Sequence, residues 1–204
     1  MRATLSQALI DAGRWIDGQG WCPATGGNLS ARLTNDEVLV TASGCHKGNL
    51  CEDDFLQVDL TGKPLDSERK PSAETLLHTQ LYQMDEDIGA VLHTHSIAST
   101  VLSRLILDDW MEISGYEMQK SLTGNTSHLP SIQLAILGNT QDMTQLASDL
   151  AGRWQQQTLQ WGFLVRGHGL YAWGHDIKEA RRHLEGLEFL FACELEMRRL
   201  GARA

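Results

Sequence analysis

Leu5, Ala8, Leu9, Ala12, Trp15 and Ile16 recur at three- and four-residue spacing, which predicts a first amphipathic helix of about four turns. Gly18 and Gly20 end it. Beyond the Gly- and Thr-rich loop Pro23 to Gly27, the hydrophobic period changes to two. Asn28 to Leu33, Glu37 to Thr41 and Phe55 to Leu60 read as short strands, the first two joined through Thr34-Asn35-Asp36 as a hairpin. Helical spacing returns at Ser72, which is expected to cap a helix over Ala73 to Met84 with Leu76, Leu77, Leu81 and Met84 on one face. Gly89 to Leu92 reads as a short buried strand delivering His93 and His95. Ile97 to Leu107 and Thr140 to Gln157 are expected helices, with the short apolar run Leu134 to Leu137 between them. Gly162 to Val165 and Leu170 to Trp173 flank Arg166-Gly167-His168-Gly169 as strands around a tight connection. Asp176 to Arg199 closes the chain as a long helix, with Ala180, Leu184, Leu187, Leu190, Phe191 and Leu195 on its core face. No repeat or linker interrupts this order. The expectation is one α/β domain over residues 1–204, a mostly antiparallel sheet with helices on its faces.

Composition narrows the function. At 204 residues, 42% hydrophobic and 21% charged, the chain can bury a full core. A formal net charge of -9 argues against a nucleic-acid partner, because a phosphate backbone needs a basic footprint. No apolar run approaches the roughly 20 residues needed to span a bilayer. Met1 to Thr4 lead into the amphipathic pattern and not into a secretory apolar stretch, and four scattered cysteines read as free thiols make a reducing cytoplasm the expected compartment. Cys22, Cys45, Cys51 and Cys193 are scattered and read as free thiols. A zinc knuckle from Cys22, Cys45, His46 and Cys51 has the wrong spacings for the usual structural patterns.

The candidate chemistry lies in the histidines. Residues two apart on a strand share a face, so His93 and His95 can reach one ion. A catalytic zinc takes about three protein ligands and keeps one position open. His168 is the natural third, since Gly167 and Gly169 permit a sharp turn beside a ligand. For an isolated His-x-His the commoner role is a polar strand end; the buried strand and the glycine-flanked partner favour a metal here. His78 and His183 fall within helices, where a solvated or core-satisfied imidazole is expected. Thr25 to Ser30 and Thr41 to Gly44 are turns whose backbone N–H groups can cradle an anion, with Asn28, Ser43, Lys47 and Ser72 adding donors. Each alone is ordinary turn chemistry. Their conjunction points to a phosphate.

In order, the Thr25-Gly26-Gly27-Asn28-Leu29-Ser30 loop, Ser43-Gly44, Ser72-Ala73-Glu74, His93-Thr94-His95 and Gly167-His168-Gly169 resemble the motifs of the class II aldolase family. The resemblance runs from the first helix to the last. It implies a three-layer α/β sandwich, one Zn2+ per subunit on His93, His95 and His168, and a homotetramer with active sites near subunit interfaces. It also implies a sugar-phosphate substrate, placing Gly27, Asn28, Ser43, Gly44, Lys47 and Ser72 at the phosphate. Ala73 stands where the aldolases carry a second serine. Gly89 to Ser96, Tyr116-Glu117-Met118 and Leu164 to Gly174 are most similar to a branch that dehydrates 5-methylthioribulose 1-phosphate to 2,3-diketo-5-methylthiopentyl 1-phosphate in methionine salvage. There Glu117 matches the catalytic acid/base, and Glu74 matches the glutamate that the aldolases use near zinc. The alternative activity is a sugar-phosphate aldolase or epimerase working through the same zinc-bound enediolate. A non-catalytic binding protein is the third reading, disfavoured by intact ligands and two carboxylates.

Overall fold

The computed structural model describes residues 2–65 and 67–201. The expected span of 1–204 therefore runs past the described residues at both ends. Helix α1 (Arg2–Gly18) is followed by strands β1 (Asn28–Arg32), β2 (Glu37–Thr41) and β3 (Phe55–Asp59). Then come α2 (Thr75–Met84), β4 (Ala90–Thr94), α3 (Ile97–Leu105), β5 (Trp110–Ile113) and β6 (Ile132–Leu137). The chain continues through α4 (Met143–Gln156), β7 (Gly162–Val165), β8 (Gly169–Gly174) and α5 (Ile177–Arg199). The eight strands form one sheet in the order β3-β2-β1-β4-β8-β7-β6-β5. Every neighbouring pair is antiparallel except β6 and β7.

Alternation along the strands divides the core in two. Leu29, Ala31, Leu92, Leu164, Leu170 and Ala172 pack with Leu9, Leu102, Leu184 and Phe191 of α1, α3 and α5. Their strand neighbours Val91, Phe163, Val165, Tyr171 and Trp173 pack on the opposite face with Leu77, Leu81, Leu146 and Leu150 of α2 and α4. Two helical layers thus enclose the sheet, the three-layer arrangement. No helix among the described residues is long and apolar enough to cross a membrane.

Two local differences from the sequence reading matter. The helix expected from Ala73 begins at Thr75, and its N-cap is Glu74, not Ser72. Ser72 lies in the preceding turn, where its backbone N–H bonds Thr41 O and its hydroxyl accepts from the Glu74 N–H. Glu74 makes no side-chain cap bond, so its carboxylate is available to other partners. The edge strand β5 has no counterpart in the sequence reading. Four residues with one exposed glutamate give too little alternation to register.

A candidate metal centre in the middle of the sheet

The cluster is assembled by sheet register. β4 lies between β1 and β8, and His93 pairs with Asn28 on one side and Tyr171 on the other. The three side chains form a cross-strand row. His93 is completely buried, with its ring stacked on Tyr171 at 3.8 Å between centroids. Its Nδ1 donates to the Leu170 carbonyl at 2.9 Å. A carbonyl only accepts, so Nδ1 carries the proton and Nε2 presents a lone pair.

His95 stands just past the end of β4 and brings Nε2 to 2.8 Å from His93 Nε2. His168, in the β7–β8 turn, places its Nε2 3.4 Å from that of His93. Glu74 completes the group: Oε1 is 2.9 Å from His168 Nε2 and Oε2 is 3.5 Å from His93 Nε2. One donor atom from each of the four residues lies within 4.8 Å of all the others. Two glycines make room for this. Gly27 sits at φ +75°, and a Cβ there would meet His93 O at 2.4 Å. A Cβ on Gly169 would stand 1.9 Å from Thr94 O.

Electrostatics suit a cation. Burial, followed by the neighbouring imidazoles, drives His93 well below its ordinary pKa, and burial pulls His95 down to about 4. Both rings are therefore neutral at neutral pH, the form in which an imidazole can donate to a metal. Burial alone would raise Glu74, but its bond to His168, its electrostatic attraction to the His93 and His168 rings and its bond from Asn28 hold it well below the usual carboxylate range. Three imidazoles and one carboxylate, converging from the start of α2, the end of β4 and the β7–β8 turn, are a donor set that fits a divalent metal ion. Cys22, Cys45, His46 and Cys51 do not join a ligating group among the described residues, and all four cysteines are free thiols.

The expected phosphate loops border this cluster. Asn28 Nδ2 donates to Glu74 Oε2. The Ser43 N–H bonds Lys70 O and Ala42 bridges Pro71, so the Ser43-Gly44 turn lies against the Ser72 turn. Ser43 and Gly44 are exposed, whereas Lys47 is buried and donates to Thr25 O at 2.8 Å and to Cys45 O. Burial lowers the Lys47 pKa.

Glu117 is not brought to the cluster within the chain. It opens a short 3-10 turn, is 71% exposed, and pairs with Lys120 at 2.5 Å and His128 at 3.2 Å. Spacing along the sequence carried no information on this distance. Two further buried groups lie near Glu74: Tyr171, to which the sequence pattern assigns no role, and His78, expected there only as a solvated or core-satisfied imidazole. The Tyr171 hydroxyl feels the Glu74 charge yet has no well-aligned partner among the described residues. His78, one helical turn after Glu74, is fully buried with Nδ1 on Ser30 Oγ at 2.7 Å and Nε2 without a partner among the described residues. His183 fits the core-satisfied expectation, bonding Trp173 O at 2.7 Å.

A mixed sheet between two helical layers, with a cluster of three histidines and a glutamate at its centre that could hold a metal ion, defines the scaffold. Residues 7–195 match the class II aldolase and adducin N-terminal domain, and the chain belongs to that family. It is 55% identical over 197 residues to methylthioribulose-1-phosphate dehydratase of Serratia proteamaculans, covering 97% of both chains. It is 54% identical to the protein of the same name from Pectobacterium atrosepticum, over 97% of this chain and 96% of that one. Among solved structures it superposes on L-fuculose-1-phosphate aldolase of Thermus thermophilus with a TM-score of 0.78, at 26% identity and 100% coverage of both chains. A sugar-phosphate aldolase from Thermotoga maritima, at 21% identity, shares the fold with a TM-score of 0.69, over 100% of this chain and 98% of that one.

Proposed function

We propose that this protein is a hydro-lyase that converts 5-methylthioribulose 1-phosphate to 2,3-diketo-5-methylthiopentyl 1-phosphate in L-methionine salvage. The observation that carries this reading is the Glu74, His93, His95 and His168 cluster, in a chain 55% identical over nearly its whole length to a methylthioribulose-1-phosphate dehydratase. The reaction removes a proton from C3, beside the C2 ketone, and hydroxide from C4. The resulting enol then becomes the diketone.

His93, His95 and His168 are the proposed holders of one Zn2+ per subunit. A bound divalent ion would supply positive charge where negative charge develops on the ketone oxygen. Glu74 is the proposed acceptor of the C3 proton, a role supported by its ionised carboxylate beside the imidazoles. Gly27, Asn28, Ser43, Gly44, Lys47 and Ser72 are the proposed phosphate contacts. Glu117 serves the C4 hydroxyl only if a neighbouring subunit delivers it. We therefore place it in trans, in a cytoplasmic homotetramer of single-domain subunits. Ile97 and Leu105 on α3 and Phe189 on α5, exposed at 78, 51 and 48%, support such a contact by leaving apolar surface for another subunit.

The test is incubation of zinc-loaded protein with 5-methylthioribulose 1-phosphate, followed by NMR. Appearance of the diketone is expected, and absence of turnover would sink the proposal. The second reading, a sugar-phosphate aldolase or epimerase, draws on Glu74 standing within the cluster. Carbon–carbon cleavage fragments in the same experiment would favour it.

A further inference from the structure

Behind the histidines, on the opposite face of β4, lies a carboxylic acid that no motif marks. Glu188, midway along α5, is only 2% exposed. Its Oε1 accepts from the Thr94 hydroxyl at 3.0 Å, and its Oε2 accepts from the Ser96 hydroxyl. Thr94 and Ser96 flank His95 in the chain. Ser96 also caps α3, accepting from the Ser99 N–H at 3.0 Å. One side chain thus grips the end of the ligand-bearing strand and the start of the next helix.

His95 needs such a hold more than His93 does. His93 is fixed by strand pairing on both sides and by its Nδ1 bond to Leu170. The ladder stops at Thr94, so His95 is tied through its own backbone by the bond of its N–H to Trp21 O at 2.8 Å. Strand alternation sends Thr94 towards α5 and His93 towards α2. A grip on Thr94 and Ser96 therefore sets the twist of the segment that aims the His95 imidazole. Burying a carboxyl among apolar helices is costly, and two hydroxyl donors only partly offset it, so an apolar residue would pack here at lower cost.

We propose that Glu188 is a positioning residue of the metal centre, clamping Thr94 and Ser96 so that His95 is held in ligating geometry. This inference rests on reading the cluster as a metal site. Outer-shell partners of metal ligands typically change affinity by about 10–100-fold when removed.

The experiment measures Zn2+ affinity by chelator competition and records the visible spectrum of the Co2+-substituted protein. Glu188→Leu is expected to weaken metal binding by about 10–100-fold and to alter the cobalt bands. Glu188→Gln, which can still bond both hydroxyls, should restore most of the affinity. If Glu188→Leu fails to fold, Thr94→Val and Ser96→Ala remove the clamp from its other side and should each weaken binding. In a double-mutant cycle, Glu188→Leu should cost no further affinity once His95 is Ala. Wild-type affinity and spectrum in Glu188→Leu, or an undiminished loss in the His95→Ala background, overturns the proposal while leaving the metal centre intact. A wild-type chain that binds no divalent metal, or an unchanged affinity in His95→Ala, overturns the metal reading and this proposal together.

Discussion

Glu74 Oε1 stands 2.9 Å from His168 Nε2, joining the start of α2 to the β7–β8 turn across the cluster. The contact exists because α2 starts one residue after Glu74, and Glu74 spends no side-chain bond on capping it. Glu74→Gln keeps the shape and removes the base. It is expected to lower kcat at least about a hundredfold. Metal content, measured on the same sample, should stay close to one ion per chain. Full turnover with bound metal would take the proton-transfer role away from Glu74.

His168→Ala should lose metal and activity together. Exhaustive chelation of the wild type should abolish turnover, and added Zn2+ should restore it. Elemental analysis beside an activity assay checks both. An unchanged metal affinity in His168→Ala would exclude this residue as a ligand.

Glu117 offers a test of assembly. If it acts from a neighbouring subunit, Glu117→Gln and Glu74→Gln homo-oligomers are each impaired, and mixed oligomers regain activity at sites built from one intact copy of each residue. Mixing after mild dissociation and assaying turnover is sufficient. Full activity in Glu117→Gln alone would remove it from the mechanism.

His78 gives a pH signature. Burial lowers its pKa from 6.5 to about 4. Above pH 6.5 the ring is neutral in both folded and unfolded chains. As pH falls from 6.5 towards 4, the unfolded chain takes up a proton that the folded chain refuses, so stability falls. Below that window both states are protonated and the loss levels off. Metal-free wild type should lose up to about 3 kcal/mol relative to His78→Gln across this range. Urea unfolding of both proteins at a series of pH values measures the difference. A flat difference would mean that His78 titrates normally.

Gly169→Ala should be poorly tolerated, because the added methyl would stand 1.9 Å from Thr94 O between paired strands. A loss of about 2 kcal/mol or more is expected by chemical denaturation.

The fold is most legible in the sequence where the backbone repeats. The bounds of β2 and β7 follow directly from their apolar runs, and the His93/His95 pairing follows from the period of a strand. The glycines around His168 announced a tight turn that the structure contains. What was hidden is tertiary. Ser72 looks like a better cap than Glu74, and only the turn pinned to Thr41 decides otherwise. Glu117 sits in a motif-like context but lies on the surface. Glu188 reads as one more acidic residue of a long helix, because its partners are about ninety residues away. Tyr171 looks like an ordinary strand aromatic until β8 is laid beside β4.

The strand order carries a consequence for the scaffold. His93 sits on β4 with three strands to one side and four to the other, so the histidine cluster lies inside the sheet, away from its two borders, β3 and β5. Changes at those borders, including longer loops or an added segment, leave the alignment of Asn28, His93 and Tyr171 untouched. Such an arrangement lets the borders vary without disturbing the register that holds the cluster together.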